Sequence, residues 1–322
     1  LTTNIKNRKE RCLVLGGGGF IGSHLTEELL HEGYEVTVFD KLNFSRKNIS
    51  DFIDNIKIAE GDFNNQIEID NALDGVDFVF HLVSSTLPAS SNENPSYDVE
   101  TNLISSLNLF KECVERKIKK VIFLSSGGTV YGVPESIPVK ESNSTNPICS
   151  YGIVKKAIED YLYMFYKIYG LDYFVFRLSN PYGERQNPFA AQGVIPVFMK
   201  NAIEDKQINI WGDGEVVRDY IYIKDAVKVL ADSLKINSTD KVLNLSSGTG
   251  FSLNQIIELI KEISGKGIKV EYQKGRSIDV PVSILDNAKV REIFSWQPET
   301  EIKSGMLKTY NYLINLNENN VR

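Results

Sequence analysis

Four consecutive glycines, Gly16 to Gly19, separate the apolar run "RCLVLG" (11–16) from the helical stretch "SHLTEELLHEG" (23–33). This strand–turn–helix junction restricts the fold more than any other stretch of the chain. Gly16, Gly19 and Gly22 satisfy G-x-x-G-x-x-G, and Gly17, Gly19 and Gly22 satisfy G-x-G-x-x-G. Glycine is required where the turn is tight, where backbone approaches a pyrophosphate, and where the helix packs closely on the strand. A phosphate then rests at the helix amino terminus, whose free amides and dipole favour negative charge. A merely flexible turn is also glycine-rich, but a strand before and a helix after select the phosphate-binding reading.

The first half continues the alternation. "YEVTVFD" (34–40) reads as a second strand and "NIKIAEGD" (55–62) as a third. "VDFVFHLVS" (76–84) and "KKVIFLSS" (119–126) are continuous apolar runs, as a parallel strand buried on both faces requires. Between them "VETNLISSLNLFKECVERK" (99–117) has helical spacing. The pattern predicts an α/β chain with a doubly wound parallel Rossmann sheet. After residue 177 it loosens. "NPYGERQNPFAAQG" (180–193) reads as a long loop, "IYIKDAVKVLADSL" (221–234) as strand then helix, and "KVLNLSSG" (241–248) as another buried strand. Residues 1–177 are therefore expected to form a dinucleotide-binding domain whose sheet is completed by about 235–250. Residues 178–322 are expected to form a smaller, interleaved α/β lobe for substrate.

Composition removes several function classes. The net charge of −6 offers no basic face for nucleic acid. Cys12, Cys113 and Cys149 are scattered and lack metal-ligand spacing, so a reducing cytoplasm is expected and a disulfide framework is not. His24, His31 and His81 are too dispersed to suggest a metal site. No stretch approaches 18 uncharged apolar residues, so no membrane span is expected. "LTTNIKNRKERC" is polar and basic, unlike a secretory signal.

Two further features carry chemistry. Asp40 ends the second strand, 18 residues after Gly22, where an acid accepts hydrogen bonds from a ribose diol and repels an added 2′-phosphate. This favours NAD over NADP, with adjacent Lys41 softening the preference. Asp62, ending the third strand, is placed either at the adenine or in a strand-end turn. Tyr151 and Lys155 in "SYGIVKKAIEDYLYMFYKIYG" (150–170) are four apart and share a helix face. A phenol with a pKa of roughly 10 is a poor base at neutral pH. A neighbouring ammonium and a positive nicotinamide ring are expected to lower that value.

Taken in order, "GGGGFIG", "FD", "GD", "HLVSS", "SSGGTVYG", "YGIVK", "RLSNPYGERQ", "WGDGEVVRDYIY" and "GRSIDVP" resemble the extended short-chain dehydrogenase/reductase family, in its nucleotide-sugar branch. The resemblance covers nearly the whole chain and is greatest to bacterial UDP-hexose 4-epimerases. It implies an NAD-dependent 4-epimerase of a UDP-hexose, UDP-glucose/galactose or UDP-N-acetylglucosamine/galactosamine, working through a transient 4-keto intermediate. The alternatives are a UDP-uronic acid 4-epimerase, another nucleotide-sugar reductase or dehydratase, and a non-catalytic dinucleotide sensor. The resemblance further implies a homodimer, formed by helices 99–117 and 151–169, and a place in polysaccharide biosynthesis.

By the same resemblance, the cofactor is held by Gly16, Gly19, Phe20, Ile21, Gly22, Asp40, Asp62, Phe63, Leu82, Ser84, Asn102, Ser125, Tyr151 and Lys155. Sugar dehydratases carry an Asp-Glu pair where this chain has Gly128 and Thr129, so elimination lacks its acid and base. The hydroxyl that epimerases aim at the sugar's 4-oxygen falls on Gly127, leaving Ser126 or Thr129 to supply it. Thr86, Asn180, Gly193, Val194, Trp211, Arg218, Arg276, Asp279 and Ser283 are implied in the UDP-sugar site. Arg218 and Arg276 would clamp the diphosphate through the paired donors of their guanidinium forks. Ser283 leaves room for an N-acetyl group, and Arg185 offers an alternative contact for a uronate carboxylate.

Overall fold

The computed structural model describes residues 8–190, 193–275 and 280–320; Arg276 and Asp279 lie outside them. The first six strands are β1 (Arg11–Leu15), β2 (Glu35–Asp40), β3 (Lys57–Glu60), β4 (Phe78–His81), β5 (Lys120–Ser126) and β6 (Tyr173–Leu178). Every residue of β4 and β6 is buried, and all but the last of β5, which places these runs in the middle of a covered sheet.

Past β6 the chain forms β7 (Asn180–Tyr182), β8 (Ile208–Trp211) and β9 (Val217–Tyr222) before returning with β10 (Val242–Leu245). The main sheet has seven strands in the order β10-β6-β5-β4-β1-β2-β3, and every pairing in it is parallel. The order reverses between β1 and β4, so the ligand crevice lies beyond the carboxyl ends of those two strands. Leu82 N donates to Leu15 O across that point at 3.2 Å.

Helices α1 (Phe20–His31), α2 (Gln66–Ala72), α3 (Pro95–Asp98) and α4 (Ser105–Glu115) belong to the first half. A π-helical turn, Val99–Ile104, joins α3 to α4. Helix α5 (Ser150–Tyr169) ends at Gly170, whose φ of 73° is the left-handed cap that glycine accepts without strain. Helices α6 (Val194–Ile203) and α7 (Ile223–Asp232) follow, and α7 packs against α1. The ammonium of Lys120, buried at the start of β5, donates to the carbonyls of Ser233 and Ile236 just past α7. The later part of the chain is thus bound into the first sheet.

The remaining elements are β11 (Gly250–Ser252), α8 (Leu253–Ser264), β12 (Val270–Gln273), β13 (Val282–Ser283), α9 (Ala288–Phe294) and α10 (Ile302–Asn320). Strands β7, β11 and β13 all pair with β9, antiparallel only for β11, and β8 pairs with β12. Among the described residues no helix is long and apolar enough to cross a membrane.

Candidate active site

The glycine turn closes on itself. A Cβ at Gly22 would stand 2.2 Å from the Gly16 carbonyl oxygen, so only glycine lets α1 begin this close to β1. Gly19 is the N-cap of α1; the helix has no side-chain cap and no acidic residue in its first turn, which contains Phe20 and Ile21. Orphan amides left uncapped at a helix start are the donor set a phosphate needs. The turn also meets β4, since a Cβ at Gly16 would touch Leu82 and Val83.

Asp40 stands beside this turn. Its Oδ2 accepts from Gly18 N at 3.0 Å and its Oδ1 from Lys41 N at 2.9 Å, while burial pushes its carboxyl up. A 540 Å³ cleft is lined by Gly18, Gly19, Asp40, Phe44, Arg185 and Tyr312 among others. Tyr151 does not line it. Asn48 braces the turn from outside by donating to Gly18 O at 3.3 Å. Uncapped amides, the glycine cradle and an acid at the end of β2 together fit a nicotinamide dinucleotide.

Several residues expected at the cofactor have other work. Ser125 Oγ donates to Glu159 Oε1 at 2.5 Å inside the core. Glu159 also takes a bidentate ion pair from Arg177 of β6, at 2.6 Å for Nη2. Breaking such a buried pair from one side typically costs about 3–5 kcal/mol. Asn102 accepts from Ser85 N at 2.9 Å and donates to Asp98 Oδ1 at 2.9 Å. Asp62 Oδ1 accepts from the backbone and side-chain amides of Asn64 at 2.9 and 2.8 Å. Phe63 is a core ring 5.1 Å from that of His81. Ser84 Oγ donates to Thr86 O, and Thr86 Oγ1 to Asp98 Oδ1.

Tyr151 and Lys155 lie in the first turns of α5, as their spacing demands. Lys155 Nζ donates to Leu124 O at 3.0 Å and sits over the rings of Phe123 and Tyr151, 4.7 and 5.6 Å from their centroids. Burial brings Lys155 down to about 8, with Asp98 and Glu159 opposing that fall. The phenol goes the other way: burial pushes Tyr151 up to about 12, and Cys149 and Asp98 add to it. The expected depression by the ammonium is not seen: burial, with Cys149 and Asp98, raises the phenol instead.

The turn after β5 abuts this helix. A Cβ at Gly152 would stand 2.9 Å from Thr129 O, so glycine beside the tyrosine lets the two segments touch. Thr129 Oγ1 is buried without a hydrogen-bond partner among the described residues. Ser126 is partly exposed at the end of β5.

Three of the expected UDP-sugar residues, Asn180, Arg218 and Ser283, share a smaller sheet. Ser283 is in register with Arg218, and Asn180 with Tyr220. Arg218 Nη1 donates to Val217 O and Val280 O, and Asn180 Nδ2 to Asp219 O. Gly193, with φ of 96°, is the N-cap that leads into Val194 and the uncapped start of α6. Trp211 is 44% exposed, which removes it from the core. Arg185 is turned to Glu27 of α1 at 2.8 Å.

Residues 12–246 match the family described as NAD dependent epimerase/dehydratase. The chain is 30% identical to the UDP-glucose 4-epimerase of Mycolicibacterium smegmatis, over 95% of this chain and 99% of that one. Its fold is similar to the UDP-glucose 4-epimerase of Thermotoga maritima solved with UDP-glucose. That structure has a TM-score of 0.90 at 35% identity, over 95% of this chain and 99% of the other. It is also similar to the UDP-N-acetylglucosamine 4-epimerase of Methanobrevibacter ruminantium, solved with UDP-N-acetylmuramic acid. There the TM-score is 0.90 at 31% identity, over 96% and 99% of the two chains.

Proposed function

Because the chain belongs to the NAD dependent epimerase/dehydratase family, we propose that it is a 4-epimerase of a UDP-hexose. One observation carries this reading beyond the family. Beside the Tyr151–Lys155 pair the described carboxylates are already committed, Asp98 to three donors and Glu159 to Arg177 and Ser125. The turn positions where dehydratases resemble one another hold Gly128 and Thr129. Elimination of water needs a free acid and base; reversible oxidation of one carbinol needs only a proton acceptor that gives the proton back.

NAD, when bound at the glycine turn, supplies the acceptor and donor of the electron pair at the sugar's C4. Tyr151 takes the proton of the 4-hydroxyl at its phenol oxygen and returns it. Lys155 steadies the phenolate charge, and Thr129 Oγ1 holds the sugar oxygen. Arg218, Asn180, Ser283, Trp211 and the start of α6 hold the nucleotide and sugar, and Arg276 and Asp279 are proposed with them. Ser283 is small enough to admit an N-acetyl group, which keeps UDP-N-acetylglucosamine beside UDP-glucose as substrate. The engagement of Arg185 with Glu27 speaks against a uronate. Exposed Ile104, Ile153 and Tyr161 on the segments expected to pair support a homodimer.

Incubating the purified protein with each UDP-sugar and no added reductant, and reading the sugar signals by NMR, tests the reading. The expected result is an equilibrium mixture of C4 epimers from UDP-glucose or UDP-N-acetylglucosamine. A 4-keto-6-deoxy product, or net consumption of reduced cofactor, would overturn it.

A further inference from the structure

Asp98 is fully buried where α3 passes into the π-helical turn. Such turns are rare and concentrate at functional sites. Its Oδ1 accepts from Thr86 Oγ1 at 2.7 Å and Asn102 Nδ2 at 2.9 Å, and its Oδ2 from Ser150 Oγ at 2.7 Å. Thr86 follows β4 on the side expected to meet the sugar, and Ser150 directly precedes Tyr151. The N-cap of α5, Cys149, gives the helix no side-chain cap. Its first amides are satisfied from the segment after β4 instead: Ser150 N donates to Asn92 Oδ1 at 2.8 Å and Tyr151 N to Ser91 Oγ at 3.0 Å. Packing alone does not require a charge here, because a buried carboxylate is costly and a neutral residue would fill the space.

We propose that Asp98 is a positioning residue for the epimerisation centre, its carboxylate joining the loop of Thr86 to the helix of Tyr151 and Lys155 and setting the field in which that pair works. The inference deepens the 4-epimerase reading and rests on it. Lys155 is faced by Tyr151 and Glu159 on its own helix, by His81 of β4, and by Asp98. Tyr151 is faced by Cys149, Lys155 and Asp98. Glu159, paired with Arg177, acts on Lys155 but not on Tyr151, so among the described groups Asp98 is the carboxylate that acts on both members of the pair. A negative charge makes both groups hold their protons more strongly, so its removal makes both more acidic.

The test measures kcat and KM against pH for the NAD-loaded Asp98→Asn variant, with the UDP-sugar the parent protein epimerises, alongside Tm and bound NAD. A displaced phenol is expected to cost kcat on the order of 10²-fold with KM changed by less than about threefold. The whole pH profile moves to lower pH while Tm and NAD content hold. Ser150→Ala cuts the tie but keeps the charge, so kcat falls by about tenfold with the profile in place. A kcat within about threefold of the parent for Asp98→Asn, or a loss tracking Tm with an unmoved profile, overturns the proposal. If Asp98→Asn does not fold, Ser150→Ala decides, and an unchanged kcat overturns it. A parent protein silent on every UDP-sugar would instead overturn the 4-epimerase reading itself.

Discussion

Thr129 carries a buried hydroxyl that the described residues leave unsatisfied. An orphan of this kind costs about 1–3 kcal/mol unless a partner outside the chain completes it. Ser126 has no comparable debt, being partly exposed at a strand end. Thr129→Val keeps the shape and removes only the hydroxyl. We expect its Tm to hold or rise and its kcat to fall by about 10²-fold, as when one donor to a reacting oxygen is deleted. Ser126→Ala is expected to stay within about threefold. Steady-state epimerisation by the two variants decides, and the reverse ranking would move the role to Ser126. Tyr151 and Lys155 were legible because helical spacing places them on one face. Asp98, Asn92 and Ser91 were not, since their partners Ser150 and Tyr151 lie 52 to 60 residues away and polar loop residues carry no periodic signal.

The end of β5 shows how an element separates two glycines that look alike in sequence. A Cβ at Gly127 would stand 2.3 Å from Leu285 Cδ1 and 3.1 Å from Arg177 O, whereas nothing lies within 4 Å of one at Gly128. Gly127 therefore answers to packing and Gly128 leaves space. Placing at this position the hydroxyl that the resemblance implies there, by Gly127→Ser, is expected to overpack the strand end and cost about 1–3 kcal/mol. Adding Leu285→Ala should not recover the full loss, because it opens a cavity while removing the clash. Denaturant midpoints measure this, and an unshifted midpoint for Gly127→Ser would contradict the packing argument. Elsewhere, periodicity gave α5 nearly to the residue. It started α1 at Ser23 where the helix begins at Phe20, because Gly22 contributes no apolar signal. Strands β7, β11 and β13, two or three residues each, are too short for any period and went unread.

Over the whole molecule, the alternation of strands and helices specified the doubly wound sheet, and the run at 241–248 supplied its seventh strand. How the later chain reaches back was not readable. Lys120 binding the end of α7, and α7 resting on α1, join segments a hundred residues apart or more. The same return brings the loop after β7 against α1: His24 Nε2 lies 2.9 Å from Glu184 O, and Arg185 pairs with Glu27. The central claim is that Tyr151 moves the proton in a closed cycle. Its most direct test compares the NAD-loaded protein and its Tyr151→Phe variant on UDP-glucose and UDP-N-acetylglucosamine without added cofactor. The account predicts equal NAD content and similar KM, with kcat reduced by about 10²–10⁴-fold, the usual worth of a positioned acid–base group. A variant that epimerises within a few-fold of the parent rate would contradict it.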